Sequence, residues 1–188
     1  MKYLIASDIH GSATWCGRLA DEIERVDPDR ILLLGDLLYH GPRNNLPEGY
    51  DPKQVIDLLN PLADRVIAVR GNCDAEVDQM VLAFPCMADY ATVFDAEADQ
   101  GRELFLTHGH VFGPGVNNAV DHLPALPEGT AVLYGHTHVK VNEPIEGHPG
   151  LWFFNPGSLS LPKDGSHSYG IYETGRPLGS AFRHVVLG

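Results

Sequence analysis

The sequence predicts an α/β fold made of two mixed β-sheets packed together, with helices outside, and three observations lead there. A short apolar run followed by Gly or a polar residue of ligating type recurs six times along the chain. Helix-like stretches separate the first three runs. From about residue 103, strand-like segments follow one another with only loops between them. Unbroken apolar runs suit strands buried on both faces of a sheet. Alternation of strand and helix implies right-handed crossovers and a sheet covered on both sides, while the second half asks for a further sheet rather than one doubly wound sheet.

Taken in order, Tyr3-Leu4-Ile5-Ala6 leads into Ser7-Asp8-Ile9-His10-Gly11. Residues 12–25 then place Trp15, Leu19, Ile23 and, just beyond, Val26 at the spacing of one helix face. Ile31-Leu32-Leu33-Leu34 leads into Gly35-Asp36, and residues 52–62 carry Val55, Leu58, Leu59 and Leu62 as a second helix. Val66-Ile67-Ala68-Val69 leads into Arg70-Gly71-Asn72-Cys73-Asp74, with a shorter helix candidate over 75–83. Leu104-Phe105-Leu106 leads into Thr107-His108-Gly109-His110, and Ala131-Val132-Leu133-Tyr134 into Gly135-His136-Thr137-His138. Leu151-Trp152-Phe153-Phe154 leads into Asn155-Pro156-Gly157-Ser158, and residues 169–172 and 181–186 read as two more strands. The connections 39–52 and 111–130, rich in Pro, Gly and Asn, are long enough to be functional loops. No linker or repeat divides the chain, so residues 1–188 read as a single domain, large enough to fold without disulfides.

Composition excludes several classes. Thirteen Lys and Arg against 25 Asp and Glu leave a formal charge of −12, and an even surface at that charge repels polynucleotides and anionic membranes. The basic residues form no stripe, which argues against a nuclease. No run approaches the roughly 18 apolar residues of a membrane span, and the apolar stretch at the N-terminus is shorter than a signal peptide's. Cys16, Cys73 and Cys86 are odd in number and make no CxxC pair, which reads as reduced thiols in a cytoplasm. The chain has no GxxxxGK[ST], GxGxxG, GxSxG or HExxH motif.

In open α/β sheets ligands bind beyond the carboxyl ends of the strands, and all six polar tips fall there. Asp8 and His10, and likewise His136 and His138, are two apart; on extended backbone that spacing points both side chains to one face. Asp, Asn and neutral His suit Mn²⁺, Fe, Co²⁺, Ni²⁺ or Zn²⁺ better than a soft-metal or Fe–S site. Seven candidates (Asp8, His10, Asp36, Asn72, His108, His136 and His138) are too many for one ion with an open position. They suit two divalent ions, and sharing Asp36 leaves room for water and substrate. Two such ions clamp the attacking and leaving oxygens of a phosphoryl displacement and make hydroxide available near neutral pH. They also make the site locally positive, so a small phosphate ester is attracted there despite the charge of the whole chain.

At these residues the sequence resembles the calcineurin-like metallophosphoesterase superfamily. The D-x-H, G-D, G-N, H and G-H-x-H blocks stand in order as Asp8-Ile9-His10, Gly35-Asp36, Gly71-Asn72, His108 and Gly135-His136-Thr137-His138. The G-N-C-D, H-G-H and N-P-G-S blocks are similar to the small YfcE-like phosphodiesterase branch. The resemblance implies a four-layer α/β/β/α sandwich with a di-metal site, usually assayed with manganese. It also allows a homo-oligomer. By that pattern Asp8, His10, Asp36 and His138 hold one ion, and Asp36, Asn72, His108 and His136 hold the other. The implied activity is hydrolysis of a small phosphodiester by a hydroxide bridging the ions. A phosphomonoesterase or nucleotide-anhydride hydrolase is the alternative within enzymes, and a non-catalytic protein-binding scaffold of the same fold is the alternative outside them.

Two positions depart from the pattern. Most of the superfamily has His where this chain has Cys73, and that His binds the phosphoryl group and protonates the leaving oxygen. A thiol donates weakly and carries no positive charge, so leaving-group protonation is weak or comes from water, which favours diesters with good leaving groups. Tyr39 stands where many relatives have Asp. Among the rest, Asp36, Asn72, Cys73, His108 and His110 are the catalytic candidates. His110 reads as a substrate contact, an orienting residue or a structural histidine. His40 and Arg43 are placed to reach a phosphate from the 39–52 loop or to be solvated there. Asp74 reads as a cap on the following helix. Asn155 and Ser158 support the site through hydrogen bonds or form a plain turn. His122, His148, His167 and His184 read as surface or core residues, and Cys16 and Cys86 as packing residues.

Overall fold

The computed structural model describes residues 1–113 and 123–188, so His122 and part of the 111–130 connection lie outside the described residues. In chain order the elements are β1 (Lys2–Ala6), α1 (Ala13–Val26), β2 (Arg30–Leu33), α2 (Pro52–Leu59, continued by a 3₁₀ turn over Asn60–Leu62), β3 (Val66–Ala68) and α3 (Glu76–Gln79). Then come β4 (Tyr90–Asp95), β5 (Arg102–Thr107), β6 (Ala131–Leu133), β7 (Lys140–Pro144), β8 (Trp152–Pro156), β9 (Ser168–Glu173), α4 (Leu178–Ala181) and β10 (Phe182–Val186).

The strands form two mixed five-stranded sheets, ordered β10-β9-β1-β2-β3 and β4-β5-β6-β8-β7. In the first, β1, β2 and β3 are parallel while β9 runs antiparallel to both β1 and β10. In the second, β5, β6 and β8 are parallel, and the edges β4 and β7 are antiparallel to their neighbours. Each sheet therefore sends three parallel strands towards the same cleft, and these are the six apolar runs with polar tips.

Why the runs are unbroken is explained by burial on both faces. Leu4, Ile31 and Leu33 face α1 and α2, packing on Trp15, Leu19, Ile23, Val55 and Leu59. Their neighbours Tyr3, Ile5 and Leu32 face the second sheet, where Leu104, Leu106, Leu133 and Phe154 meet them. Beyond the second sheet, Phe105 and Val132 are covered by Ile145 and Leu151, with Phe112, Leu123 and Leu126 packed alongside. Among the described residues the helices α1 and α2 lie on the first sheet, and no helix covers the outer face of the second.

The helix starts are written locally. Ser12 caps α1 by accepting from the Trp15 amide, and Asp51 caps α2 by accepting from the Lys53 and Gln54 amides, with Pro52 in the first turn. The third helix is shorter than the pattern over 75–83 suggested, because the chain leaves after one turn for the second sheet. Two strands fall outside the expectation altogether. On β4, Tyr90, Thr92 and Phe94 alternate outwards to solvent, and β7 (Lys-Val-Asn-Glu-Pro) is mostly exposed. Both are edge strands, buried on one face at most, so neither carries the apolar run that marks the six central strands.

Candidate metal centre

Five of the candidate ligands hold left-handed backbone: Asp8 (φ 57°), His10 (49°), Asp36 (54°), His136 (64°) and His138 (60°). Among the described residues only Asp27 and Gln100 are other non-glycine cases. Each left-handed residue costs on the order of 1–2 kcal/mol, and such strain collects at functional sites. This corrects the expectation drawn from spacing. Asp8 and His10 share a site because a left-handed loop after β1 turns both inwards, not because extended backbone alternates.

Backbone hydrogen bonds hold the tips in place. The Asp8 amide donates to Gly35 O (3.1 Å), the His10 amide to Asp36 O (2.9 Å) and the Gly135 amide to His108 O (3.0 Å). The motif glycines mark the closest approaches. A Cβ at Gly71 would collide with Asp36 Oδ1, and one at Gly135 with Ser7 Oγ.

Three histidines are oriented alike. His10 Nδ1 donates to Tyr39 O (2.9 Å), His108 Nδ1 to Leu34 O (2.6 Å) and His138 Nδ1 to Leu161 O (2.7 Å). A carbonyl only accepts, so each Nδ1 carries its hydrogen, and wherever the ring is neutral it turns an Nε2 lone pair into the site. His10 Nε2 and His138 Nε2 lie 3.2 Å apart, with His138 Nε2 3.1 Å from Asp8 Oδ1. That Asp8 oxygen is buried with no hydrogen-bond partner. Facing lone pairs beside an orphaned carboxylate oxygen are repulsive unless a cation lies among them. Asp8, His10 and His138 can place one ligand atom each within 4.8 Å of one another, and so can Asp8, Asp36 and His108. The donor set therefore fits divalent metal.

Asp36 lies between the two groups. Its Oδ2 is 3.7 Å from His10 Nε2 and 3.4 Å from His108 Nε2, and its Oδ1 accepts from the Cys73 amide (2.8 Å). Burial opposes the charge on Asp36, but His108 outweighs it and lowers the carboxyl to about 2. Burial likewise pushes His108 down, and Asp36 and Asp8 lift it instead to about 10. Asp8 is held well below the usual carboxylate range by His138 and His10 against the same burial. With protein groups alone, the acids keep a proton on His108, where a cation would otherwise balance them.

The second group is looser. His108 Nε2 is 3.2 Å from Asn72 Oδ1, while the His136 ring is half-buried with its centroid 5.1 Å from that of His108. The His136 amide donates to Asp8 Oδ2 (3.1 Å). Cys73 borders the cleft, takes a hydrogen bond from Asn72 Nδ2 (3.2 Å), and has its thiol pushed up by burial and Asp36. Its sulfur, His10 and Asp36 also lie within 4.8 Å of one another. Over these groups opens a cavity of about 230 Å³, whose wall includes Arg43 and Lys163.

The structure sorts the remaining candidates. Asp74 does not cap a helix: Ala75 holds the N-cap position of α3, and the Ala75 amide donates to Asp78. Asp74 Oδ2 instead accepts from the Asp36 amide (2.8 Å) and the Gly71 amide (2.7 Å), and Oδ1 from the Leu37 amide (2.8 Å). It clamps the β2 and β3 tips together, a role that required knowing which loops are neighbours. Ser158 Oγ and Ser160 Oγ donate to Asp8 O (3.0 and 3.1 Å), and Asn155 Nδ2 donates to Gly135 O (2.8 Å). Ser160 and Lys163 carried no motif signal. His110 does not border the cavity; burial and His108 lower it to about 4, so its ring is neutral, with a buried Nδ1 lacking a partner. His40 packs edge-on against Tyr39 and Tyr50 and does not border the cavity. His167 stacks on Trp15, His184 donates to Asn155 O (2.8 Å), His148 is exposed, and Cys16 and Cys86 are core.

Comparison with known proteins agrees with this geometry. The profile for the calcineurin-like phosphoesterase superfamily domain matches residues 1–176. The chain belongs to that superfamily. Within it, the chain is 47% identical to the phosphodiesterase YfcE of Escherichia coli K12 over 174 residues, covering 92% of this chain and 88% of that protein. The solved structure of the E. coli phosphoesterase YfcE superposes with a TM-score of 0.83 at 42% identity, covering 100% of this chain and 97% of that one. An archaeal phosphodiesterase shares the fold over the full length of both chains, with a TM-score of 0.65 at 23% identity. The superfamily implies divalent metal, which the donor set fits. No helix among the described residues is long and apolar enough to cross a membrane.

Proposed function

We propose that this chain, a phosphoric diester hydrolase, acts on a small phosphodiester, and that two divalent ions, manganese first among them, would make hydroxide available there when bound. The observation that carries this reading is the convergence of His10 Nε2, His138 Nε2 and the unpartnered Asp8 Oδ1 beside Asp36, with each histidine held at Nδ1 by a backbone carbonyl. Asp8, His10, Asp36 and His138 would hold one ion, and Asp36, Asn72, His108 and His136 the other. When bound, the ions supply positive charge to the phosphoryl oxygens and acidity to water. Zn, Fe, Co or Ni would satisfy the same nitrogen and oxygen donors. Residues 1–188 act as one domain, and three unpaired cysteines support a cytoplasmic setting.

The chain's own residues do the positioning. Three histidines turn Nε2 inwards, and Asp74 sets the Asp36 backbone. Hydrolysis adds water across one P–O bond; the alcohol or phenol leaves with a proton and the other ester remains as a monoester. Cys73 stays a neutral thiol because burial and Asp36 push it up, so the departing oxygen takes its proton from water and good leaving groups are preferred. The test is hydrolysis of bis-p-nitrophenyl phosphate beside p-nitrophenyl phosphate by metal-stripped protein with Mn²⁺ restored. Manganese-dependent cleavage that prefers the diester is the expected result. Preference for the monoester would make the protein a phosphatase, and inactivity with all five metals would favour the scaffold reading.

A further inference from the structure

Four of the 13 basic residues make no hydrogen bond or ion pair through their side chains among the described residues: Arg43, Lys53, Lys163 and Arg183. Two of these four, Arg43 and Lys163, border the cleft, and both are exposed. In a chain of charge −12, acidic partners are plentiful, and cations left unpaired at one cavity mouth are available to a ligand.

Both stand on loops tied to ligands of the first ion. The loop carrying Arg43 is attached where Tyr39 O accepts from His10 Nδ1 (2.9 Å), and Asn44 Nδ2 braces it on His40 O (2.8 Å). The loop carrying Lys163 is attached twice to His138: Leu161 O accepts from Nδ1 (2.7 Å), and the Lys163 amide donates to His138 O (3.0 Å). The backbones that carry the two cations are therefore anchored to these ligand candidates, while the side chains themselves are free to meet a ligand. A phosphodiester carries one negative charge, which the buried centre already meets. Charges on the outer rim face whatever hangs from the phosphate.

We propose that Arg43 and Lys163 form an anion subsite at the cleft mouth, and that the substrate is a phosphodiester with a second oxyanion, phosphate or carboxylate, on one ester group. This rests on the diesterase reading above. The test compares p-nitrophenyl diesters that share a leaving group and differ in the other arm: ethyl, 2-carboxyethyl, 2-phosphoethyl and 2-aminoethyl. The anionic arms are expected to raise kcat/KM about tenfold over ethyl, mostly through KM, and the aminoethyl arm to lower it. In Arg43→Gln/Lys163→Gln the anionic-to-ethyl ratio falls to about unity, and Arg43→Glu favours the aminoethyl ester. The phosphoethyl and carboxyethyl arms, compared with each other, tell which oxyanion is read.

Calorimetric titration of the Mn²⁺-loaded protein with methylphosphinates bearing a 3-carboxypropyl or a propyl arm, whose P–C bonds cannot be hydrolysed, gives the same ratio without turnover. Equal binding of the two by the wild-type protein, or a ratio unchanged in the double variant, overturns the subsite. Selective binding without hydrolysis of any diester leaves the subsite standing and removes the diesterase reading.

Discussion

Two buried aspartates at opposite ends of the sandwich make an instructive pair. Asp95 closes β4 away from the cleft, and every group around it is answered. Its Oδ2 accepts from Tyr172 Oη (2.6 Å) and the Gly175 amide (3.1 Å), its Oδ1 from the Glu97 amide (2.9 Å), and Arg102 Nη1 donates to Tyr172 Oη (2.8 Å). Asp8 at the cleft is equally buried, yet its Oδ1 has no partner and faces two imidazole nitrogens. Left-handed backbone surrounds Asp8, whereas Asp95 ends an ordinary strand. A satisfied buried acid contributes to stability; an unsatisfied one, held in strained backbone, is kept for something that binds.

That contrast can be broken from either end. The largest effect is expected from Asp36→Asn, which should lower Mn²⁺-dependent kcat/KM by about 10³-fold. Asn tolerates φ > 0 and can still accept from the Cys73 amide, so thermal unfolding without metal should lose only the pairing with protonated His108, a modest drop in midpoint. A collapse in stability would place Asp36 with Asp95. At the other end, Asp95→Ala should destabilise by about 3–5 kcal/mol in urea while leaving kcat/KM of the folded protein near wild type. Asp74→Asn tests the link between ligand and frame: an amide has one oxygen for three backbone donors, so Mn²⁺ affinity should fall about 10–100-fold, with activity recovered at saturating metal.

The smallest effect concerns His184, which stacks on Phe154 and donates to Asn155 O. Burial lowers its pKa below the ordinary value of 6.5. The unfolded chain then takes up the proton first, so stability is lost as pH falls below about 6.5 towards the lowered folded value. Urea midpoints measured between pH 7.5 and 5 should decline more in wild type than in His184→Phe.

What could be read directly from the chain were the six central strands, α1 and α2, and, among the ligand candidates, the residues Asp8, His10, Asp36, His108 and His138 that the structure gathers within ligating reach. Strands buried on both faces need continuous apolar sequence, and a metal centre needs a particular donor set, so both leave local marks. The edge strands β4 and β7 leave none, because one paired side and an exposed face permit almost any alternation. The left-handed turns at Asp8, His10, Asp36, His136 and His138 were invisible for another reason: glycine advertises positive φ, whereas aspartate and histidine do not. Asp74, Ser160 and Lys163 depend on loops far apart in sequence meeting at one cleft. Residue type by itself thus determined which atoms can ligate. Only tertiary structure decided which Nδ1 each carbonyl holds, which oxygen is left without a partner and which cations border the cleft, because those follow from the packing of two sheets.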